Sequence, residues 1–164
     1  RFCASPERDF TCEPQPEMAT AHEEFARLRL MDPAVQASLE RAGDSYRDER
    51  VKAVAALAPA VVRAFSVASL RRVEVPVLVV GAEADSIAPP ATNADFVHAN
   101  LPSSQLLRLQ AVGHYTFLSG CTADGRRQLA PLCGEREGVR REAIHEQVAA
   151  AVDAFFARAS SIRR

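Results

Sequence analysis

The feature that most constrains the fold is a valine-rich segment, Val75–Gly81, within the stretch VPVLVVGAEADSIAPP. A short apolar run of this kind predicts a strand buried on both faces, as in parallel sheets that are covered by helices. A second strand is predicted over Gln105–Leu109. The first strand leads into a loop that carries Asp85, and the second leads through Gly113 to His114. Because reactive side chains gather at the carboxyl ends of parallel strands, we expect these two residues at one edge of the sheet.

The other apolar segments complete an α/β pattern. Val51–Ala58 predicts a further buried strand, Pro90–Asn100 a helix, and Val139–Arg158 an amphipathic helix that closes the chain. Ser69–Val73 is expected to be a short connector. The order strand, crossover, strand, helix, strand, helix is typical of a parallel sheet with helices on both faces. We therefore predict the α/β class, with three parallel strands flanked by helices.

The N-terminal part of the chain has a different character. We predict that residues 1–47 form an irregular and helical, cap-like segment and that residues 48–164 form the α/β core. A broken apolar stripe over Glu17–Arg41 predicts two helices in the first segment. Asp32 is the expected N-cap of the second helix, with Pro33 at its first position.

The four cysteines fall into two local pairs, Cys3 with Cys12 and Cys121 with Cys133, in segments rich in loop-forming residues. Cytosolic proteins seldom carry such an arrangement, so we predict two disulfides in an exported protein, either periplasmic or secreted. In the chain-entropy model each disulfide would contribute about 2.5–3 kcal/mol. Four free thiols are the alternative. A zinc site agrees less well with the sequence, which contains no C-x-x-C.

Composition argues against several functional classes. The 164 residues suit one domain, and 48% hydrophobic with 25% charged residues is typical of a globular protein. A net charge of -1 provides no basic footprint for nucleic acid or an anionic membrane. No apolar run approaches the roughly 18–20 residues that span a bilayer. The chain opens on Arg1 with no leader, and we expect a processed product, a trimmed chain or a fragment.

Asp85 and His114 are the candidate acid and base. An aspartate that accepts a hydrogen bond from one imidazole nitrogen fixes the tautomer and favours the imidazolium that forms when the other nitrogen takes a proton. The alternatives are that Asp85 only caps the turn that follows it, that Glu83 is the acid, and that His114 is a hydrogen-bonded core histidine. The other histidines fall in predicted helices, where solvent-facing polar roles are expected: His22, His98 and His145.

The sequence contains no recognisable nucleophile. The G-x-S-x-G motif, which carries the attacking serine in many hydrolases, is absent. Ser45 lies in a partial match, but a helix is predicted before it and a strand after it, the reverse of the order that the motif requires. Ser86 adjoins the acid on the wrong side of the imidazole, and Cys121 is expected to pair with Cys133. We therefore expect the attacking group to lie outside this chain.

Three stretches resemble the C-terminal half of the α/β-hydrolases: DERVKAVAALAPA, VPVLVVGAEADSIAPPATNADFVHANLP and LLRLQAVGHYTFLSGC. They look closest to the exported dienelactone-hydrolase-like group of bacteria, over residues 48–156. In that family the chain order is Ser, Asp, His, so the resemblance assigns Asp85 as the acid and His114 as the base. It also maps the three predicted strands onto the last three of an eight-stranded sheet. The first five strands, the serine and both oxyanion donors are not in this chain.

One functional hypothesis and two alternatives follow. The leading hypothesis is the acid/base half of a serine hydrolase that acts on carboxylic esters or lactones through an acyl-enzyme, without cofactor or metal, and inactive alone. Ile87, Tyr115 and Phe117 suggest a partly apolar pocket wall. The alternatives are a non-catalytic, hydrolase-like binding or degenerate module, and a metal site formed by Asp85, His114 and a cysteine.

The resemblance also has a consequence for folding. Val51–Ala58 would lie beside the absent strand that carries the serine, which leaves a flat, apolar edge with unpaired backbone groups. Parallel sheets normally need both faces buried. We therefore expect the chain alone to self-associate through this edge or to be only marginally folded.

Overall fold

The computed structural model describes residues 2–13 and 19–161. By their contacts these residues divide into two compact units, one within Arg1–Cys12 and Val51–Arg164 and the other within Glu13–Arg50. The first contains the sheet and is called the sheet unit. The second contains two helices and is called the helical unit.

The sheet of the described residues has three parallel strands in the order β1-β2-β3: β1 Val54–Leu57, β2 Val77–Ala82 and β3 Ser104–Leu109. In register, Ala56 of β1 lies beside Val79 of β2, which lies beside Leu106 of β3. The predicted parallel sheet flanked by helices is therefore confirmed. The first strand is shorter than predicted, since residues 51–53 do not pair with β2 and Ala58 turns away with a φ of 41°.

Seven α-helices occur in the described ranges: α1 Ala19–Met31, α2 Pro33–Glu40, α3 Val67–Leu70, α4 Ala94–Asn100, α5 Ala123–Gln128, α6 Ala130–Cys133 and α7 Arg141–Ser161. Short 3-10 helices lie at Phe2–Ala4, Phe10–Cys12, Val62–Ala64, Pro90–Thr92 and His114–Phe117. Among the described residues, no helix combines the length and apolarity needed to cross a bilayer.

Helix boundaries differ from the prediction in three places. The helix predicted over Pro90–Asn100 is a 3-10 turn followed by α4, because Asn93 between them has non-helical dihedrals. The final helix begins two residues later and ends three residues later than predicted. The predicted connector Ser69–Val73 overlaps α3, which Ser66 caps by accepting from the Ser69 amide.

Burial on both faces of β2 explains its unbroken apolar sequence. All six residues of β2 are buried, and Val79 and Val80 are 0% exposed. Leu78 and Val80 point to one face, where they pack with residues of α7 such as Phe155. Val79 points to the other face and packs with residues of α3 and α4 such as Leu70. Successive strand residues alternate between faces, so a strand covered twice has no polar position.

The second helix of the helical unit, α2, begins where the sequence predicted. The Asp32 carboxylate accepts hydrogen bonds from the amides of Ala34 at 2.8 Å and Val35 at 3.3 Å, and Pro33 occupies the first helical position. The N-cap prediction is therefore confirmed. The predicted start of this region at Glu17 lies outside the described residues.

Both predicted cysteine pairs are disulfide-bonded, with Cα–Cα distances of 5.3 Å for Cys3–Cys12 and 5.8 Å for Cys121–Cys133. The first closes an N-terminal loop on the sheet unit, and the second closes a loop that follows His114. All four cysteines are accounted for. Such bonds persist in oxidising compartments.

The N-terminal loop is fastened to the sheet unit by Asp9. Its carboxylate accepts hydrogen bonds from the hydroxyl of Thr92 and the amide group of Asn93, just before α4. Burial tends to raise the pKa of Asp9, but the hydrogen bonds from Thr11, Thr92 and Asn93 outweigh it and lower that pKa below its ordinary value. Residues 2–12 therefore pack with the α/β core.

The turn between β3 and His114 depends on an unusual backbone conformation at Ala111. This residue has a φ of 60°, in the left-handed region, and its side chain is exposed. The turn places Val112 in the core at 0% exposure, and the Val112 carbonyl accepts from the Ala84 amide at 3.0 Å. The turn at Ala111 thus brings Val112 into position to join the loop before His114 to the loop before Asp85.

We predict that Ala111→Gly raises the free energy of unfolding by up to about 1 kcal/mol, because glycine adopts the left-handed conformation without steric cost. Ala154→Gly, at an exposed position inside α7, is the matched control and should lower it by about 1 kcal/mol. Chemical denaturation measures both. Equal destabilisation by the two changes would show that Ala111 carries no strain.

Candidate active site

Asp85 and His114 lie at the carboxyl edge of neighbouring strands. β2 ends at Ala82, and the Asp85 amide donates to the Ala82 carbonyl at 3.1 Å, which starts the acid loop. β3 ends at Leu109, and His114 is the first residue of the 3-10 turn that follows. Because β2 and β3 are paired along their length, their two loops emerge side by side.

The two side chains are hydrogen-bonded. His114 Nδ1 lies 2.7 Å from Asp85 Oδ2. Asp85 Oδ1 accepts from the amides of Ile87 at 2.9 Å and Ala88 at 2.7 Å. Asp85 is therefore both the cap of its own turn and the partner of the imidazole, so the two roles that the sequence left open coexist in one carboxylate.

Burial differs sharply across the pair. The Asp85 side chain is 1% exposed, whereas that of His114 is 22% exposed. A buried carboxylate requires full hydrogen bonding, and Asp85 obtains it from two backbone amides and the ring. The other nitrogen of the ring, Nε2, has no hydrogen-bond partner among the described residues. Among the residues that the structure describes, the pair therefore combines a buried carboxylate with one imidazole nitrogen that is not hydrogen-bonded.

The orientation of the imidazole follows from these contacts. A carboxylate at Nδ1 keeps the proton on that nitrogen and leaves the lone pair on Nε2. The ring of Tyr115 meets the His114 ring edge-on, with centroids 5.4 Å apart and an interplanar angle of 83°. Such a ring can take a proton at Nε2 and return it, as general acid–base catalysis requires.

Glu83, the competing acid, is engaged elsewhere. Arg108 of β3 donates to its carboxylate at 2.8 Å and lies 2.7 Å from Asp95 of α4. The hydrogen bond to Glu83 raises the pKa of Arg108. The structure thus places Glu83 in a surface ion-pair network and leaves Asp85 as the carboxylate that contacts His114.

Two other histidines were expected to face solvent, but the structure shows each of them hydrogen-bonded to another residue. His98 Nδ1 lies 2.8 Å from the Ser104 hydroxyl, and His145 Nε2 lies 2.7 Å from the Thr116 carbonyl. Both histidines are half-buried, and the periodicity of a helix does not by itself report a hydrogen-bond partner. The side chain of His22 lies outside the described residues.

Neither candidate nucleophile of the sheet unit is hydrogen-bonded to the imidazole among the described contacts. Ser86 is exposed, and Cys121 is bonded to Cys133. The third candidate, Ser45, belongs to the helical unit. Within the described ranges no hydroxyl or thiol is hydrogen-bonded to Nε2 of His114. The same ranges contain no group of three or more His, Cys, Asp or Glu side chains that would hold a metal ion.

The predicted apolar wall is only partly placed beside the pair. Tyr115 contacts the His114 ring, and Ile87 is half-buried in the acid loop. Phe117 instead packs against the core cluster that contains Val112. A shallow groove lined by Lys52, Ala53, Phe156, Ala159 and Ser160 lies near the start of β1, at the opposite end of the sheet.

Sequence reasoning missed Glu135 and Arg141. Arg141 is 6% exposed and donates through Nε to Glu135 at 2.5 Å. Glu135 in turn accepts from the Thr116 hydroxyl at 2.7 Å, two residues beyond His114. One signal was available: Arg140 and Arg141 fall in the first turn of the predicted helix Val139–Arg158, where basic residues are unfavourable beside the helix dipole.

Comparison with known proteins assigns no relationship: no family model, no curated protein and no solved structure matches the chain.

We predict that Asp85→Asn moves the His114 proton from Nδ1 to Nε2, because an amide NH2 group facing Nδ1 requires a lone pair there. Nitrogen-15 NMR of the imidazole distinguishes the two tautomers. Glu83→Gln is the matched control and should leave the tautomer unchanged, since Glu83 pairs with Arg108. An identical tautomer in Asp85→Asn and the wild-type protein would show that Asp85 does not set it.

Proposed function

We propose that this chain supplies the acid and the base of a serine hydrolase that cleaves carboxylic esters or lactones through an acyl-enzyme. The observation that carries the proposal is the 2.7 Å contact between His114 Nδ1 and Asp85 Oδ2, with no described residue hydrogen-bonded to Nε2. The parallel α/β sheet and the order Asp then His support it too, since both agree with the resemblance of residues 48–156 to the dienelactone-hydrolase-like α/β-hydrolases.

In this proposal His114 acts twice. Its Nε2 takes the proton of the serine hydroxyl as the serine oxygen bonds to the acyl carbon, then gives that proton to the departing alcohol oxygen as the ester C–O bond breaks. Water next attacks the acyl-enzyme and passes a proton to Nε2, which returns it to the serine oxygen as the acid leaves. Asp85 holds the ring and stabilises each imidazolium. The serine and the oxyanion donors come from a segment outside this chain.

A second candidate function is a non-catalytic, hydrolase-like binding module. The observation that favours it is the lack of any described hydroxyl or thiol at Nε2 of His114. The two candidates differ in what the gene encodes before Arg1. A G-x-S-x-G motif between a predicted strand and helix in that upstream sequence supports the hydrolase, and its absence supports the binding module.

We also propose that the protein is exported. Both cysteine pairs are bonded, which fits a protein that folds in the periplasm or outside the cell. The second disulfide adjoins the candidate site, because it closes the loop that follows His114.

The function is tested with p-nitrophenyl acetate, on this chain alone and on the longer protein that includes the upstream sequence. We expect no turnover by the chain alone. In the longer protein, His114→Ala should reduce kcat by about 10²–10⁴-fold, which is the usual contribution of a positioned acid–base group. His98→Ala is the matched control, because that half-buried histidine is bonded to Ser104 and should be dispensable.

Three results would overturn the proposal. Failure of the longer protein to hydrolyse the ester would remove the proposed activity itself. Turnover by the longer protein that survives His114→Ala would remove the base from the mechanism. Turnover by this chain alone that is abolished by His114→Ala would place the nucleophile within these residues.

We further propose that the chain alone self-associates through the edge of β1. The amides of Val54 and Ala58 bond to the β2 side, so those of the alternate residues Ala55 and Leu57 point outward, and β2 is the only neighbour of β1 in the described sheet. Leu57 is 42% exposed at this edge. An exposed strand edge of this kind pairs readily with another chain.

Analytical ultracentrifugation tests this proposal. We expect concentration-dependent association of the wild-type chain, and a monomer for Leu57→Lys, because a charged side chain on an edge strand opposes pairing. Leu129→Lys makes the same change at an exposed leucine between α5 and α6 and should still associate. A monodisperse wild-type monomer with a sharp thermal transition would contradict it.

A further inference from the structure

Thr116 connects the turn that carries His114 to two other parts of the sheet unit. This residue is 2% exposed, and its hydroxyl donates to Glu135 Oε2 at 2.7 Å. Its carbonyl accepts from Nε2 of His145 in α7 at 2.7 Å. The hydroxyl and the carbonyl of Thr116 are therefore both hydrogen-bonded, and this residue lies two positions after the candidate base.

Glu135 is held in turn by Arg141. The guanidinium donates through Nε to Glu135 Oε1 at 2.5 Å, and its other nitrogens donate to the carbonyls of Ser119 at 3.1 Å and Leu132 at 2.9 Å. One buried cation thus joins the loop after His114, the end of α6 and the start of α7. The planar fork of arginine suits this task, since it donates in several fixed directions at once.

The backbone around Glu135 is also restricted. Cys133 is bonded to Cys121, and a Cβ at Gly134 would lie 2.9 Å from the Ala130 carbonyl oxygen, which requires glycine there. The Gly134 amide donates to that same oxygen at 2.8 Å. Glu135 therefore has little freedom to follow Thr116 if the turn moves, so it acts as an anchor.

Stability alone is a weak explanation for this arrangement. A buried ion pair loses its hydration, and apolar residues of similar volume often stabilise a protein as well or better. What such a pair provides is direction, because each partner is restricted to a narrow geometry. Proton transfer at Nε2 requires this kind of restriction, since a displacement of about 1 Å reduces the rate of a positioned reaction by about 10²-fold.

We propose that Glu135 and Arg141 are positioning residues that hold the His114 imidazole against Asp85 through Thr116, an inference that rests on the proposed function for its catalytic meaning. Neither residue contacts His114 or Asp85 among the contacts of the described chain. Removing the pair should therefore leave both reactive groups present but loosen the hydrogen bond between them.

The test is proton NMR of this chain, which observes the far-downfield signal of the His114 Nδ1 proton bonded to Asp85. Thr116→Val keeps the shape of the side chain and removes the link to Glu135. We expect about tenfold faster exchange of the Nδ1 proton with water, the effect of losing roughly one hydrogen bond of ordinary strength. Arg141→Lys should act in the same direction, because an ammonium cannot replace the fork.

Two controls separate positioning from stability. Thr116→Ser keeps a hydroxyl that can donate to Glu135, so the Nδ1 proton should exchange at the wild-type rate. Arg127→Gln removes an exposed ion pair with Asp124 and should leave the signal unchanged. All spectra are taken well below the melting temperature of each variant, so that global unfolding does not contribute.

The inference is overturned if Thr116→Val and Arg141→Lys lower the melting temperature but leave the exchange rate of the Nδ1 proton unchanged, because the network is then structural only. The measurement needs no turnover, so its result is independent of the esterase assay. The Nδ1 signal could depend on Thr116 while the longer protein shows no esterase activity. That combination would support the positioning role and would overturn only the proposed function.

Discussion

The buried carboxylate of Asp85 is the group on which the candidate site depends. It is almost completely removed from water, and an unpaired charge in such a place is costly. Its cost is offset by the amides of Ile87 and Ala88 on one oxygen and the ring of His114 on the other. The same contacts that make the charge tolerable also fold the acid loop and orient the imidazole. Loop structure and site chemistry therefore have a common cause.

The sheet determines where this carboxylate lies. β2 is covered on both faces and pairs with β3 over its whole length, so the loops that leave the two strands emerge together. Ala111 and Val112 then join them, through the hydrogen bond from the Ala84 amide to the Val112 carbonyl. The sheet thus brings a carboxylate and an imidazole to one edge, where reactive side chains gather in open parallel sheets.

Further polar contacts hold the turn that carries His114 without touching the imidazole. Thr116, Glu135 and Arg141 connect the turn after His114 to the start of α7, and the disulfide between Cys121 and Cys133 closes the same region. Groups of this kind cost free energy to bury and restrict geometry in return. Side chains thus restrict the turn that carries His114, whereas backbone amides hold Asp85, so the two partners of the pair are fixed in different ways.

Local signals in the sequence were sufficient to predict the parallel sheet, the cap at Asp32, the cysteine pairs and the meeting of Asp85 with His114. Each of these depends on alternation, capping chemistry or strand order, which neighbouring residues encode. The network of Glu135 and Arg141, the left-handed turn at Ala111 and the hydrogen bond of His145 were not predictable in this way. They join polar groups that are distant in the chain and carry no periodic pattern. Only the packing of α7 against the turn after His114 decides which of these groups become buried, and burial is what requires them to find partners.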